Sequence, residues 1–329
     1  MKPPCTRRQW LAAAAAGGIG LAACGKPSPA LRTTAIEPSP VSIVRAPVYD
    51  QSLYRTVRHM VEMHRLDVRG RSVLLKPNLV EFEPGSSINT HPLLVHAAYE
   101  AFRALGAARV AIAEGPGHRR NTMDLADRAG YGKLIPGFDD LFVDLNLDDV
   151  TLVHPPRRFS RLDKLYLPNT ALAADLLVSM PKMKTHHWVG ATLAMKNLFG
   201  VVPGGIYGWP KNVLHWAGID ECVADLHAVF PRQFALVDGI TGMEGNGPIQ
   251  GAAKDVGVLV AGPNPVAVDA TCCRNMRIDP LRIGYLRLAS EESGRILEGN
   301  IRQIGEPIGA VATAFELIPE FRGIRLENS

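Results

Sequence analysis

Along most of the chain, short runs rich in Val, Ile and Leu alternate with polar stretches containing Gly and Pro, and then with longer amphipathic segments. The runs lie at 73–75, 110–113, 176–180, 234–237 and 256–260; short and strongly apolar, they predict β-strands. The segments that follow, at 92–105, 122–129, 191–199, 214–229 and 265–276, predict helices. Strands alternating with helices predict an α/β fold: a mostly parallel sheet flanked by helices, as one large domain or two lobes, with a crevice at the strand C-terminal ends.

The unusual polar residues cluster immediately after the apolar runs, as KPNLV (76–80), EGPGHRR (114–120), PKMKTHH (181–187), DGITGMEGNGP (238–248) and GPNPVAVDA (262–270). In a parallel sheet that end of each strand is where ligands bind. Separate strand ends carrying Lys, His, Asn, Asp, Glu and Gly therefore point to one shared crevice.

The pattern changes at the N-terminus. Thr6, Arg7, Arg8, Gln9, Trp10 and Leu11 precede an Ala- and Gly-rich stretch without charge before Lys26, the order of a twin-arginine export signal. The apolar stretch 10–23 falls short of the roughly 20 residues a bilayer-crossing helix needs, so it reads as a leader and not as an anchor. Leu21, Ala22, Ala23 and Cys24 resemble a lipoprotein box, in which Cys24 becomes the lipidated first residue. Residues 1–23 are thus expected to be a signal peptide, 24–40 a flexible Pro/Ser-rich tether, and 41–329 the folded domain. The expected partners are the twin-arginine translocase, the lipoprotein-processing enzymes and, through the lipid, a membrane surface on the periplasmic or cell-surface side.

Loss of Lys2, Arg7 and Arg8 with the leader lowers the formal charge from +4 to +1, a balance that gives no support to nucleic-acid binding. Of five cysteines, Cys5 leaves with the leader and Cys24 is assigned to the lipid. Cys222, Cys272 and Cys273 remain, too few for a four-cysteine iron-sulfur site. The adjacent pair reads as buried, small apolar residues on a helix.

Four segments resemble the domain of unknown function family 362 (DUF362): KPNLV at 76–80, THP at 90–92, PKMKTHHWVGATLAMKNLFGVVPG at 181–204 and VDGITGMEGNGP at 237–248. The resemblance runs from about residue 41 to beyond 304 and implies a fold and a site more than a reaction. Some members of that family carry a ferredoxin-like iron-sulfur module, which has no counterpart in this sequence. The lysine and histidine layout is also similar to that of nickel-dependent lactate racemases.

Lys76 and Asn78 end the first strand and suit an anion. Thr90 and Pro92 fit the start of a helix, and the family resemblance includes His91 between them. Glu114 opens a Gly-rich turn and is a candidate proton acceptor, metal ligand or lysine partner. The densest group is Lys182, Lys184, Thr185, His186 and His187, followed by Thr192, Lys196 and Asn197. Lys182 and Lys184, two apart on an extended segment, share a face, and clustered ammonium groups lower one another's pKa. Asp238, Glu244 and Asn246 punctuate a Gly-rich loop that permits close backbone approach to a ligand.

These residues predict an enzyme acting on an anionic small molecule or using a bound metal or phosphorylated cofactor, with His186, Lys184 and Glu114 as catalytic candidates. Lys76, Asn78, His91, Lys182, Thr185, Lys196, Asn197, Asp238, Glu244 and Asn246 are the candidate ligand-binding residues. Export in the folded state tilts the reaction towards redox or metal chemistry. No metal-ligand spacing identifies a metal site. A lipid-anchored protein that binds an anion or cofactor without catalysis is the alternative the same residues allow.

Overall fold

The computed structural model describes residues 37–291 and 294–327. The leader, Cys24 and the first part of the expected tether lie outside the described residues.

In chain order the elements that matter here are β1 (Ser39–Arg45), α1 (Leu53–Met63), β2 (Ser72–Pro77), α2 (Pro92–Ala104), β3 (Arg109–Glu114), α3 (Thr122–Arg128) and β4 (Phe142–Asp144). They continue with β5 (Val150–Val153), β6 (Leu165–Pro168), β7 (Leu176–Met180), β8 (Lys182–His186), β9 (Gly190–Thr192), α4 (Ala194–Asn197) and α5 (Asn212–Val229). The chain closes with β10 (Gln233–Glu244), β11 (Ala252–Gly262), α6 (Pro265–Asn275) and β12 (Ile301–Gly305).

One sheet runs in the order β12-β1-β11-β10-β7-β2-β3-β4, and β8 joins it by pairing with β10 and β9. The strands β10, β7, β2, β3 and β4 are mutually parallel, whereas β11 is antiparallel to both of its neighbours. The fold is α/β with a mostly parallel sheet flanked by helices. Strand β1 starts at Ser39, inside the segment expected to be tether, because its backbone is taken up in parallel pairing with β12.

Side-chain alternation divides the core into two layers. Val73 and Leu75 of β2, Val110 and Ile112 of β3, and Phe234 and Leu236 of β10 pack on the face covered by Leu53, Val57 and Met60 of α1 and by Leu94 and Phe102 of α2. Leu74, Ala111, Ala113, Ala235 and Val237 point the other way, against Leu214 and Val223 of α5 and Val266, Val268 and Cys272 of α6. Each fully buried aliphatic side chain contributes about 1.5–3 kcal/mol, so these layers, and not the polar groups described next, hold the fold together. Cys222, Cys272 and Cys273 are free and buried.

Two local readings of the sequence change. The helix expected over 191–199 is instead β9 followed by the four-residue α4, whose first amides, on Ala194 and Met195, donate to the buried Asp269 carboxylate (2.8 and 2.9 Å). The polar stretch 182–186, expected as an extended segment after the apolar run and not as one of the core strands, is the fully buried strand β8.

Candidate functional site

Parallel pairing puts the ends of β2 and β7 level, with Lys76 beside Ser179, and the ends of β3 and β4 level, with Glu114 beside Asp144. Lys76 and Glu114 are both buried and form an ion pair, Nζ to Oε2 at 2.5 Å. The Lys76 ammonium also donates to Pro77 O (3.0 Å) and Asn197 Oδ1 (3.3 Å). Glu114 accepts from the amides of Leu79 (3.2 Å) and Gly115 (3.0 Å). A Cβ at position 200 would collide with Glu114 Oε1 and Lys76 Nζ, so glycine is required where that chain crosses the pair.

Beside this pair opens a cavity of about 200 Å³, below the roughly 300–1,000 Å³ of sites that hold drug-sized ligands. Its cationic lining comes from Lys184 on β8, Lys196 on α4 and Lys211 at the start of α5, each at least nine-tenths buried. Lys184 Nζ donates to Ile88 O (3.0 Å) and Pro248 O (3.2 Å), and Lys211 Nζ to Gly115 O (2.5 Å) and Phe199 O (2.7 Å). Lys196 differs. Among the described residues no group accepts a hydrogen bond from its ammonium, which lies 3.8 Å from the centroid of the Phe199 ring.

Burial lowers all three amines, because a charge taken out of water loses solvation that its neighbours do not replace. Lys196 falls to about 7, with Lys76 adding repulsion. Lys211 also falls to about 7 despite the attraction of Glu114, and burial together with the charges of Lys182 and Lys196 takes Lys184 well below its ordinary value.

Four imidazoles line the same cavity, those of His118, His186, His187 and His215. His186 Nδ1 accepts from the Trp188 amide (3.0 Å), so the neutral ring carries its proton on Nε2. Burial, and next the Lys196 charge, hold His186 well below its ordinary pKa and keep it neutral. His187 and His215 are the opposite tautomer: Nδ1 lies 2.8 Å from Gly247 O and 3.1 Å from Lys211 O, carbonyls that can only accept, so Nε2 bears the lone pair. Burial lowers His215 to about 4. Two further buried polar atoms of lining residues, Asn78 Oδ1 and Thr192 Oγ1, have no hydrogen-bond partner among the described residues.

The structure therefore brings Asn78, Glu114, Lys184, His186, Lys196 and Asn197 to one cavity, with Lys76 directly behind it. It places the other candidates elsewhere. Lys182 Nζ bonds Asp238 Oδ2 (2.7 Å) and Tyr49 Oη (2.9 Å), and Asp238 also accepts from Tyr49 Oη (2.7 Å) and the His91 amide (2.9 Å). His91 stacks on Tyr49 with centroids 3.9 Å apart and caps α2 through Nδ1. This second cluster is saturated and does not line the cavity. Thr185 Oγ1 donates to Gly245 O (2.8 Å), Glu244 pairs with Lys254 (3.0 Å), and the exposed Asn246 bonds Gln250 (3.0 Å); none lines the cavity either. The glycines of that loop serve packing: a Cβ at position 247 would strike Thr185 O.

The sequence reading missed Lys211, which nothing in GWPKN singles out; it reaches the cavity with a left-handed backbone (φ +68°). His215, on α5, is not among the candidate residues of the sequence either. Among the described residues no group of three His, Cys, Asp or Glu side chains comes together as a metal-ligating set.

The fold and this cavity define an α/β protein with a cationic crevice at the C-terminal ends of a parallel sheet. Residues 73–274 match the family described as Domain of unknown function (DUF362), and the chain belongs to that family. It is 29% identical over 257 residues to a thylakoid-associated protein of Synechocystis sp., covering 74% of this chain and 76% of that protein. Among solved structures it is similar to the lactate racemase apoprotein of Thermoanaerobacterium thermosaccharolyticum, with a TM-score of 0.44 and 15% identity over 73% of this chain. A protein from Thermotoga maritima gives a TM-score of 0.35 and 12% identity over 76% of this chain. The chain spans 57% and 61% of the lengths of those two proteins.

Proposed function

We propose that the protein is an enzyme that binds a small anion, or the anionic part of a cofactor, in this crevice and exchanges a proton with it. The observation that carries the reading is Lys196: a nine-tenths-buried residue of the cavity wall whose amine meets an aromatic ring and, among the described residues, no hydrogen-bond acceptor. Removing an ammonium from water costs several kcal/mol, a cost that an anion between Lys184, Lys196 and Lys211 would offset. Asn78 Oδ1 and Thr192 Oγ1 are left for the ligand's remaining polar atoms.

The proton-transfer role, expected of His186, passes to Lys196. With its proton on Nε2 and its pKa depressed, His186 is a hydrogen-bond donor that orients the ligand. Lys196, at about 7, has the proton affinity that suits transfer near neutrality. Glu114 acts at the cavity wall by fixing Lys76 behind it and, through Lys76, Asn197.

The Thr6–Leu11 and Leu21–Cys24 signals support export and a lipid on Cys24, and a thylakoid-associated relative is compatible with a membrane location. No helix of the described residues is long and apolar enough to cross a membrane, so the attachment we propose runs through Cys24. The test is native mass spectrometry and metal analysis of the folded protein from its own cytoplasm. A non-protein species near one per chain that is absent from Lys196→Met supports the reading. Equal occupancy in wild type and variant contradicts it.

A further inference from the structure

Of the buried lysines around the crevice, four are tied. Lys76 is held by Glu114, Lys182 by Asp238 and Tyr49, Lys184 by two carbonyls and Lys211 by two others. Among the described residues Lys196 has no acceptor, and it sits at the end of α4, which Asp269 anchors through two amides. Its stem is thus positioned while its nitrogen is not engaged. Phe199, against that nitrogen, cannot take a proton from it or donate one to it.

Such a nitrogen is placed to attack carbon. We infer that the crevice takes a small anion whose carbonyl carbon forms an imine with Lys196 Nζ, the 2-oxo acids being the chemical class that carries both groups. This rests on the proposed anion site and names its substrate class. The carboxylate lies towards the tied Lys184 and Lys211, whose donors stay fixed while Lys196 reacts. The step balances without an oxidant: the amine adds to the carbonyl carbon, both amine hydrogens leave with the carbonyl oxygen as water, and a carbon–nitrogen double bond remains. Against surface lysines selectivity follows from the lone pair; against Lys184 and Lys211, whose amines burial also lowers, it follows from the carbonyls that hold them. Burial lowers Lys196 to about 7, so far more of it carries a free lone pair at neutral pH than of an ordinary surface lysine.

The experiment incubates the purified full chain with pyruvate at neutral pH, adds borohydride, and locates the adduct by peptide mass mapping. Thermal shifts are recorded in parallel with pyruvate and with propionate, which has the carboxylate but no carbonyl. The expected result is one carboxyethyl group per chain on Lys196, formed at least tenfold faster than on any other lysine and slowed by propionate. Lys196→Arg keeps a cation, so it should retain the propionate shift and lose the adduct; should that variant not fold, the mapping on wild type decides alone. Thermal stabilisation by both anions with no adduct, or with adducts spread over surface lysines, overturns the imine and leaves the anion site standing. Neither stabilisation nor adduct overturns both.

Discussion

Two lysine clusters meet along β8, and they resolve the same problem in opposite ways. Lys182 has Asp238 and Tyr49 within hydrogen-bonding distance, and Asp238 is satisfied in turn by Tyr49 and the His91 amide. Two residues later Lys184 opens on a cavity where Lys196 and Lys211 are also lowered by burial and where, among the described residues, no carboxylate forms an ion pair with Lys196, although Asp220 attracts it. The closed cluster makes a buried charge tolerable by completing its coordination. The open one leaves the coordination incomplete, and a site that is destabilised until something enters it is the ordinary mark of a binding or catalytic centre.

The largest test of that difference lies in the closed cluster. Asp238→Asn should leave the Lys182 ammonium buried without its countercharge and cost about 3–5 kcal/mol, read from the urea midpoint at pH 7. The corresponding change in the open cluster should have the opposite sign: Lys196→Met removes an unpaired buried amine and should stabilise the protein by about 1–3 kcal/mol in the same assay. If both substitutions destabilise alike, the two clusters are energetically equivalent and the contrast fails.

Proton linkage sharpens the comparison. Lys196 and Lys211 sit at about 7 when folded and near their ordinary, higher value when unfolded. Between those values the unfolded chain binds more protons, so their contribution makes stability rise as pH goes from about 7 towards 10, and below 7 the contribution is constant. A urea series over that range should show the rise in wild type and a smaller rise in Lys196→Met. The smallest effect belongs outside both clusters. Asn246→Ala, exposed and bonded to Gln250, should change stability by no more than about 0.5 kcal/mol and leave ligand binding unaltered.

How far the sequence could be read depended on which physical signal each part carried. The core strands β2, β3, β7 and β10 announced themselves because both faces are apolar, and the helices after them because one face is. Strand β8 did not: KMKTH has the composition of a loop, and it is a strand because β9 and β10 pair with it and because Asp238, Ile88 and Pro248 accept from its lysines. Those partners lie far away in the chain, beyond any local pattern. For the same reason spacing alone put Lys182 and Lys184 on a common face, whereas the structure sends one to a carboxylate and the other to a cavity. Lys211 carried no signal at all, since its place depends on the path of 204–211 back to Gly115. The crevice itself was legible, because polar residues after several strand ends converge wherever strands run parallel.

The most direct test of the account is calorimetric titration of the full chain with propionate at pH 6 and pH 8. The open cluster predicts one site per chain, affinity lower at pH 8 because the buried amines of Lys196 and Lys211, at about 7, have lost charge, and a further loss of about tenfold or more in Lys196→Met at pH 6. Equal affinity at the two pH values, with Lys196→Met indistinguishable from wild type, would contradict it.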